Sequence, residues 1–126
     1  KYGDRVQLTM GDIADDSGFA SLVGQVSVVI SNPPYIPKDA IPRDLEVREH
    51  DPALALYGGD DGMDIMRIVS KRALELLVPG GFLVVEHADN QAAVVADLFE
   101  SDGWKQVRSH KDLSGRDRAV SAVKAY

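Results

Sequence analysis

Cysteine is absent from the 126-residue chain, which excludes a disulfide framework and a thiolate-ligated metal. That composition fits a cytoplasmic protein. No apolar run approaches the roughly 18 residues of a membrane-spanning helix. The opening Lys1-Tyr2-Gly3-Asp4-Arg5 has the pattern of neither a signal nor a transit peptide. Positive charge is in deficit: 14 Lys and Arg against 20 Asp and Glu give a formal charge of −6. That balance argues against non-specific nucleic-acid binding, where phosphates must be neutralised. Internal repeats and low-complexity tracts are missing. So is the glycine-rich strand-to-helix turn that opens doubly wound nucleotide-binding domains. Gly58-Gly59 and Gly80-Gly81 are the densest glycine pairs, and they read as turns and helix stops.

What remains is an ordinary globular composition, 44% hydrophobic and 27% charged, in one domain long enough to bury a core. Arg5 to Met10 alternates Val6, Leu8 and Met10 with polar residues and predicts a short strand ending at Gly11-Asp12. Phe19 to Leu22 predicts a short helix or turn. Gln25 to Ser31 is a nearly continuous β-branched run, the pattern of a parallel strand covered on both faces. Pro37 to Gly62 is long and irregular, the pattern of a functional loop or linker. A helix is predicted from Met63 to Leu77, with Met66, Val69, Ala73, Leu76 and Leu77 on its inner face and Pro79-Gly80-Gly81 as its stop. Asp60, Asp61 and Asp64 read as a solvated helix start rather than a metal site. Phe82 to Glu86 predicts a second buried strand. Asn90 is placed as the cap of a helix through Glu100, with Val95, Leu98 and Phe99 inward and Gly103 closing it. Trp104 to Ser109 and Arg118 to Tyr126 predict a terminal hairpin. The order β, β, α, β, α, β, β makes this an α/β fold, mostly parallel with an antiparallel end.

The most informative residues are Asn32-Pro33-Pro34-Tyr35, directly after the Val26 strand. Proline lacks a ladder N–H, fixes φ and restricts its predecessor, so the chain must turn sharply at the strand's carboxyl end. Open α/β sheets place ligands there. Asn32 offers an amide oxygen, Pro33 a carbonyl, and Tyr35 a flat ring. Such a set suits a planar, neutral nitrogen that bears N–H groups, such as an amide or an exocyclic amine.

Taken in order, Arg5-Val6, Gly11-Asp12, Ser31 through Pro37 and Asp51-Pro52-Ala53-Leu54-Ala55-Leu56 resemble the peptide chain release factor glutamine methyltransferases. The likeness continues through Gly58 to Gly62, Leu77-Val78-Pro79-Gly80-Gly81, Glu86-His87 and Asp112 to Arg118. Asn-Pro-Pro-Tyr alone is shared with amino-methylating DNA and RNA enzymes; its combination with Ala-Leu-x-Gly-Gly-x-Asp-Gly and Gly-Arg-Asp-Arg is more particular. The family has Glu-Pro where this chain has Asp51-Pro52, a change that keeps the charge.

The resemblance implies a Rossmann-like class I methyltransferase fold that uses S-adenosyl-L-methionine. It further implies that this chain is its C-terminal portion, residues 1–126 following a helical domain and the glycine-rich cofactor motif. The family sheet order would be 3-2-1-4-5-7-6, with the first two strands missing. The Val6 strand would then lack neighbours and the Val26 strand would have a bare edge, which invites self-association. In the family-like mechanism Asn32, Pro33 and Tyr35 act on a glutamine side-chain amide of a release factor, and Pro34 completes the clamp. Asp12, Ile13 and Asn32 lie at the cofactor, Asp12 beside the adenine amine and Ile13 against the ring. His87 and the charged turn Asp112, Arg116, Asp117, Arg118 read as structural. Two alternatives stay open: an adenine amino-methyltransferase that holds a flipped base in the same clamp, and a non-catalytic fragment or binding module. The chain alone is expected to bind S-adenosyl-L-methionine negligibly.

Overall fold

Two helices cover one face of a four-stranded sheet in a computed structural model that describes residues 5–33, 63–88 and 90–126. The elements are β1 (Val26–Ser31), α1 (Asp64–Leu76), β2 (Leu77–Glu86), α2 (Ala92–Ser101), β3 (Lys105–Lys111) and β4 (Asp117–Val123). Two 3-10 turns, Asp16–Gly18 and Ala20–Leu22, precede β1. The sheet order is β1-β2-β4-β3: β1 and β2 are parallel, and β4 is antiparallel to both of its neighbours. That is the 4-5-7-6 half of the expected sheet.

One core joins the layers. Met66, Val69 and Ala73 of α1 and Val95 and Phe99 of α2 meet Leu83, Val85, Val120 and Ala122 from the inner face of β2 and β4. Spacings of three and four put the helical residues on single stripes, and each fully buried large side chain contributes about 1.5–3 kcal/mol. Trp104 tilts at 44° against Phe99 with centroids 6.0 Å apart. Its indole N–H donates to Ser70 Oγ at 2.9 Å, and that hydroxyl donates to Asp102 Oδ2 at 2.6 Å.

The first predicted strand is not formed. Residues 5–12 are irregular, and Val6, Leu8 and Met10 are 62%, 96% and 99% exposed. Alternation suits a strand only when another strand supplies the ladder, and among the described residues none pairs with this segment. β1 forms as expected but is not covered on both faces: Val28 is 52% and Ile30 79% exposed. Among the described residues it is an edge strand, and its outward residues pair with the outward Phe82 and Val84 of β2.

α1 ends at Leu76, and β2 begins at once, five residues before Phe82. Pro79-Gly80-Gly81 is therefore a bulge within the strand rather than a helix stop: two steps from Val26 to Val28 span five from Leu77 to Phe82. Gly80, at φ +83, donates to Lys124 O, and Lys124 N–H donates to Gly81 O. Lys124 Nζ donates to the carbonyls of Leu74 and Leu77 at 2.6 and 2.8 Å, satisfying the last turn of α1 with a cation at its negative end.

Asn90 does not cap α2. It lies in an exposed turn, and Gln91 takes the cap position because its carbonyl receives the first helical bond, from Val95 N–H. At the other end Gly103, at φ +94, lets Trp104 N–H reach back to Phe99 O, closing the helix as expected. In the β3–β4 turn Asp112 Oδ1 accepts from Ser114 and Arg116 N–H at 2.8 and 3.1 Å. Its Oδ2 faces Arg118 Nε at 3.4 Å. The charged turn is thus a brace for the hairpin.

Candidate functional site

Because β1 and β2 run parallel, their carboxyl ends share one edge of the sheet. Ile30 pairs with Val84 and Ser31 with Val85, so Asn32, the first residue past β1, comes out beside Glu86, the last residue of β2. Asn32 is exposed, and Pro33 is buried behind it. A proline at that point ends the ladder, as its missing N–H requires. Pro34 and Tyr35 lie outside the described residues, as do Asp51-Pro52, Asp60, Asp61 and the rest of the Pro37 to Gly62 segment.

His87 follows Glu86 on the same edge. Its ring is fully buried, and Nδ1 sits 2.6 Å from the carbonyl of Ala88, which makes Nδ1 the protonated donor. Nε2 is buried without a hydrogen-bond partner. Alternation with Leu83 and Val85 turns this ring into the core, in keeping with a structural histidine.

Asp12 and Ile13 form a turn on the helix side. Asp12 is exposed; its Oδ1 accepts Ala14 N–H at 2.9 Å, and its carbonyl accepts Asp15 N–H at 2.9 Å. Ile13 is half-buried against the core. These bonds tie the turn to itself and to α1, whereas Asn32 belongs to the sheet edge. The tie to α1 is Arg72. Its Nε donates to Ile13 O at 2.9 Å, Nη2 to Asp16 Oδ1 at 2.6 Å and Nη1 to Glu75 Oε2 at 2.7 Å. Its guanidinium carbon lies 5.0 Å from the centroid of Phe19. The hydrogen bond to Asp16 and the charges of Asp16 and Glu75 raise the Arg72 pKa further above its already high value. Hydrogen bonds from Ser17 hold the Asp15 carboxyl below its ordinary value, and those from Arg116 and Ser114, with Arg118, do the same for Asp112.

Arg72 was missed in the sequence, although a signal exists. It lies on the stripe of Val69, Ala73 and Leu76, and an arginine on a buried stripe must be paired.

An α/β sheet whose last strand inserts antiparallel beside its neighbours, with Asn-Pro at the carboxyl edge of a parallel strand, is a methyltransferase-like architecture. The solved protein-(glutamine-N5) methyltransferase (release factor-specific) of Alicyclobacillus acidocaldarius superposes on 87% of this chain and 59% of its own, with a TM-score of 0.52 and 26% identity. The release factor glutamine methyltransferase of Streptomyces coelicolor is 46% identical over 128 residues, 98% of this chain and 44% of the relative. By sequence the chain is similar over nearly its whole length to release factor glutamine methyltransferases. The 4-amino-L-phenylalanine/4-methylamino-L-phenylalanine methyltransferase of Streptomyces pristinaespiralis is also similar, at 38% identity over 98% of this chain and 41% of the relative. The chain thus spans less than half the length of these curated relatives. No protein-family model matches it.

Proposed function

We propose that this chain is the C-terminal part of an enzyme that methylates the side-chain amide nitrogen of a glutamine in a peptide chain release factor. The observation that carries the reading is the exposed Asn32 and buried Pro33 at the shared carboxyl edge of β1 and β2. An amide nitrogen is a weak nucleophile because its lone pair is delocalised into the carbonyl. The Asn32 side-chain oxygen and the Pro33 carbonyl would each accept one of its N–H groups and favour the positive charge that develops on nitrogen during attack. Two acceptors also fix where the lone pair points, and orientation alone supplies a large part of such a barrier. Tyr35 would cover the amide plane and exclude water.

The cofactor of this reading is S-adenosyl-L-methionine, which when bound supplies a methyl group already activated by its sulfonium. Asp12 fits its adenine end. Its carboxylate is exposed, and with Oδ1 engaged by Ala14 N–H, Oδ2 has capacity to accept from an exocyclic amine. Half-buried Ile13 fits beside it as an apolar surface for the ring. The remaining contacts of the cofactor would come from the preceding part of the enzyme, so the chain alone should bind it negligibly. Calorimetry that returned micromolar affinity would contradict this. The setting is the cytoplasm, where translation terminates. Among the described residues no helix is long and apolar enough to cross a membrane. Alone, the chain would self-associate through the edge of β1, which has no partner strand among the described residues.

The Streptomyces pristinaespiralis relative carries a second reading, in which an aryl amine takes the place of the amide. Transfer of tritiated methyl by the full-length enzyme separates the candidates. A release factor should be labelled, and its Gln→Ala variant, a DNA oligonucleotide and 4-amino-L-phenylalanine should not. Labelling of the amino acid but not the release factor would replace the first reading with the second.

A further inference from the structure

We infer that Arg72 is a positioning residue for the cofactor: it orients the Asp12 carboxylate through the Ile13–Ala14 peptide. This rests on the proposed role of Asp12 at the adenine. The geometry is a relay through one rigid plane. Ile13 C=O and Ala14 N–H belong to the same peptide unit. Arg72 Nε donates to that carbonyl at 2.9 Å, and that N–H donates to Asp12 Oδ1 at 2.9 Å. Because the peptide is planar, fixing its oxygen fixes the direction of its N–H, and so the carboxylate that accepts it. A cation on the carbonyl also polarises the N–H and strengthens the second bond.

Arg72 is suited to this because it cannot move independently. Its side chain is 7% exposed, Asp16 and Glu75 hold the two Nη atoms, and Phe19 lies against the guanidinium plane. A guanidinium offers these donors in one fixed fork, whereas a lysine ammonium supplies a single point of attachment. The turn needs such an anchor, since residues 5–12 take no part in the sheet. Without Arg72, Asp12 would keep its charge but lose its direction.

The test uses the full-length enzyme carrying Arg72→Met, with Arg72→Lys to guard against mere unfolding. Two readouts are followed: amide exchange at Ala14 without cofactor, and S-adenosyl-L-methionine affinity by calorimetry. For Arg72→Met, loss of a charge-assisted bond should speed Ala14 exchange and weaken cofactor binding, each by about ten-fold. The rate at saturating cofactor should stay within about two-fold, since the reacting nitrogen is held elsewhere. Arg72→Lys should fall between the two proteins. Unchanged Ala14 exchange or unchanged affinity in a folded Arg72→Met protein would overturn the inference. Asp12→Ala keeps the two levels apart: unaltered affinity in that variant would remove the underlying cofactor reading, and the inference with it, even where Ala14 exchange responds to Arg72.

Discussion

Replacing Ser70 by alanine gives a change of sign that separates two accounts of the core. Ser70 lies in the middle of α1 and is fully buried. On helix propensity alone alanine is better there, by about 0.5 kcal/mol. The structure predicts the opposite outcome. Ser70 Oγ is the acceptor for Trp104 Nε1–H at 2.9 Å, and Trp104 is buried. Deleting the hydroxyl leaves an indole N–H without a partner in a dry place, at a cost of about 1–3 kcal/mol. The second bond, to Asp102 at 2.6 Å, adds less because Asp102 is exposed and water can replace the serine. The net expectation is destabilisation by about 1–2 kcal/mol. Urea unfolding should show a lower midpoint at constant slope. With Trp104→Phe already in place the orphaned donor is gone, so Ser70→Ala should then be neutral or stabilising. A Ser70→Ala protein as stable as the parent would refute the Ser70–Trp104 bond.

Three further expectations concern stability. A Cβ on Gly81 would sit 2.8 Å from the carbonyl oxygen of Val78, and one on Gly80 would sit 2.8 Å from the Tyr126 hydroxyl at a φ of +83. Gly81→Ala must shift backbone and should cost about 1–3 kcal/mol in urea unfolding, whereas Gly80→Ala should cost about 1–2 kcal/mol from its left-handed φ while the exposed Tyr126 swings aside. Asp112 has a carboxyl pKa depressed below 3.8 by Arg116, Ser114 and Arg118, so its contribution is present above that pH and lost as pH falls through the lower folded value. Asp112→Asn should therefore lower stability at neutral pH and flatten the acid limb of the profile, while leaving the most acidic end nearly unchanged.

Much of the fold was legible because it is local. The stripe Met66, Val69, Ala73, Leu76 identifies α1, Gly103 marks the end of α2, and Asp112 to Arg118 marks a hairpin. The misreadings arose where a neighbour decides. Leu76-Leu77-Val78 is apolar on either side of the helix end, and only pairing of Leu77 with Val26 and of Gly80 with Lys124 shows where β2 begins. Val6, Leu8 and Met10 alternate correctly but have no described strand beside them. At the candidate site, the end of β1 before Asn32 and Pro33 was legible from the sequence, since two prolines after a β-branched run permit few conformations. Arg72 was not, because its importance depends on a turn 59 residues earlier in the chain.

The account stands on Asn32. In the full-length enzyme, Asn32→Ala should lower methyl transfer to the release factor by about 10²–10³-fold, the scale of losing one preorganised polar contact to a developing charge. Affinity for S-adenosyl-L-methionine should stay within about three-fold, because in the proposed reading Asp12 and Ile13 would hold the cofactor apart from the sheet edge. Methyl transfer that persists near the parent rate, or that falls only in step with cofactor affinity, would contradict the clamp.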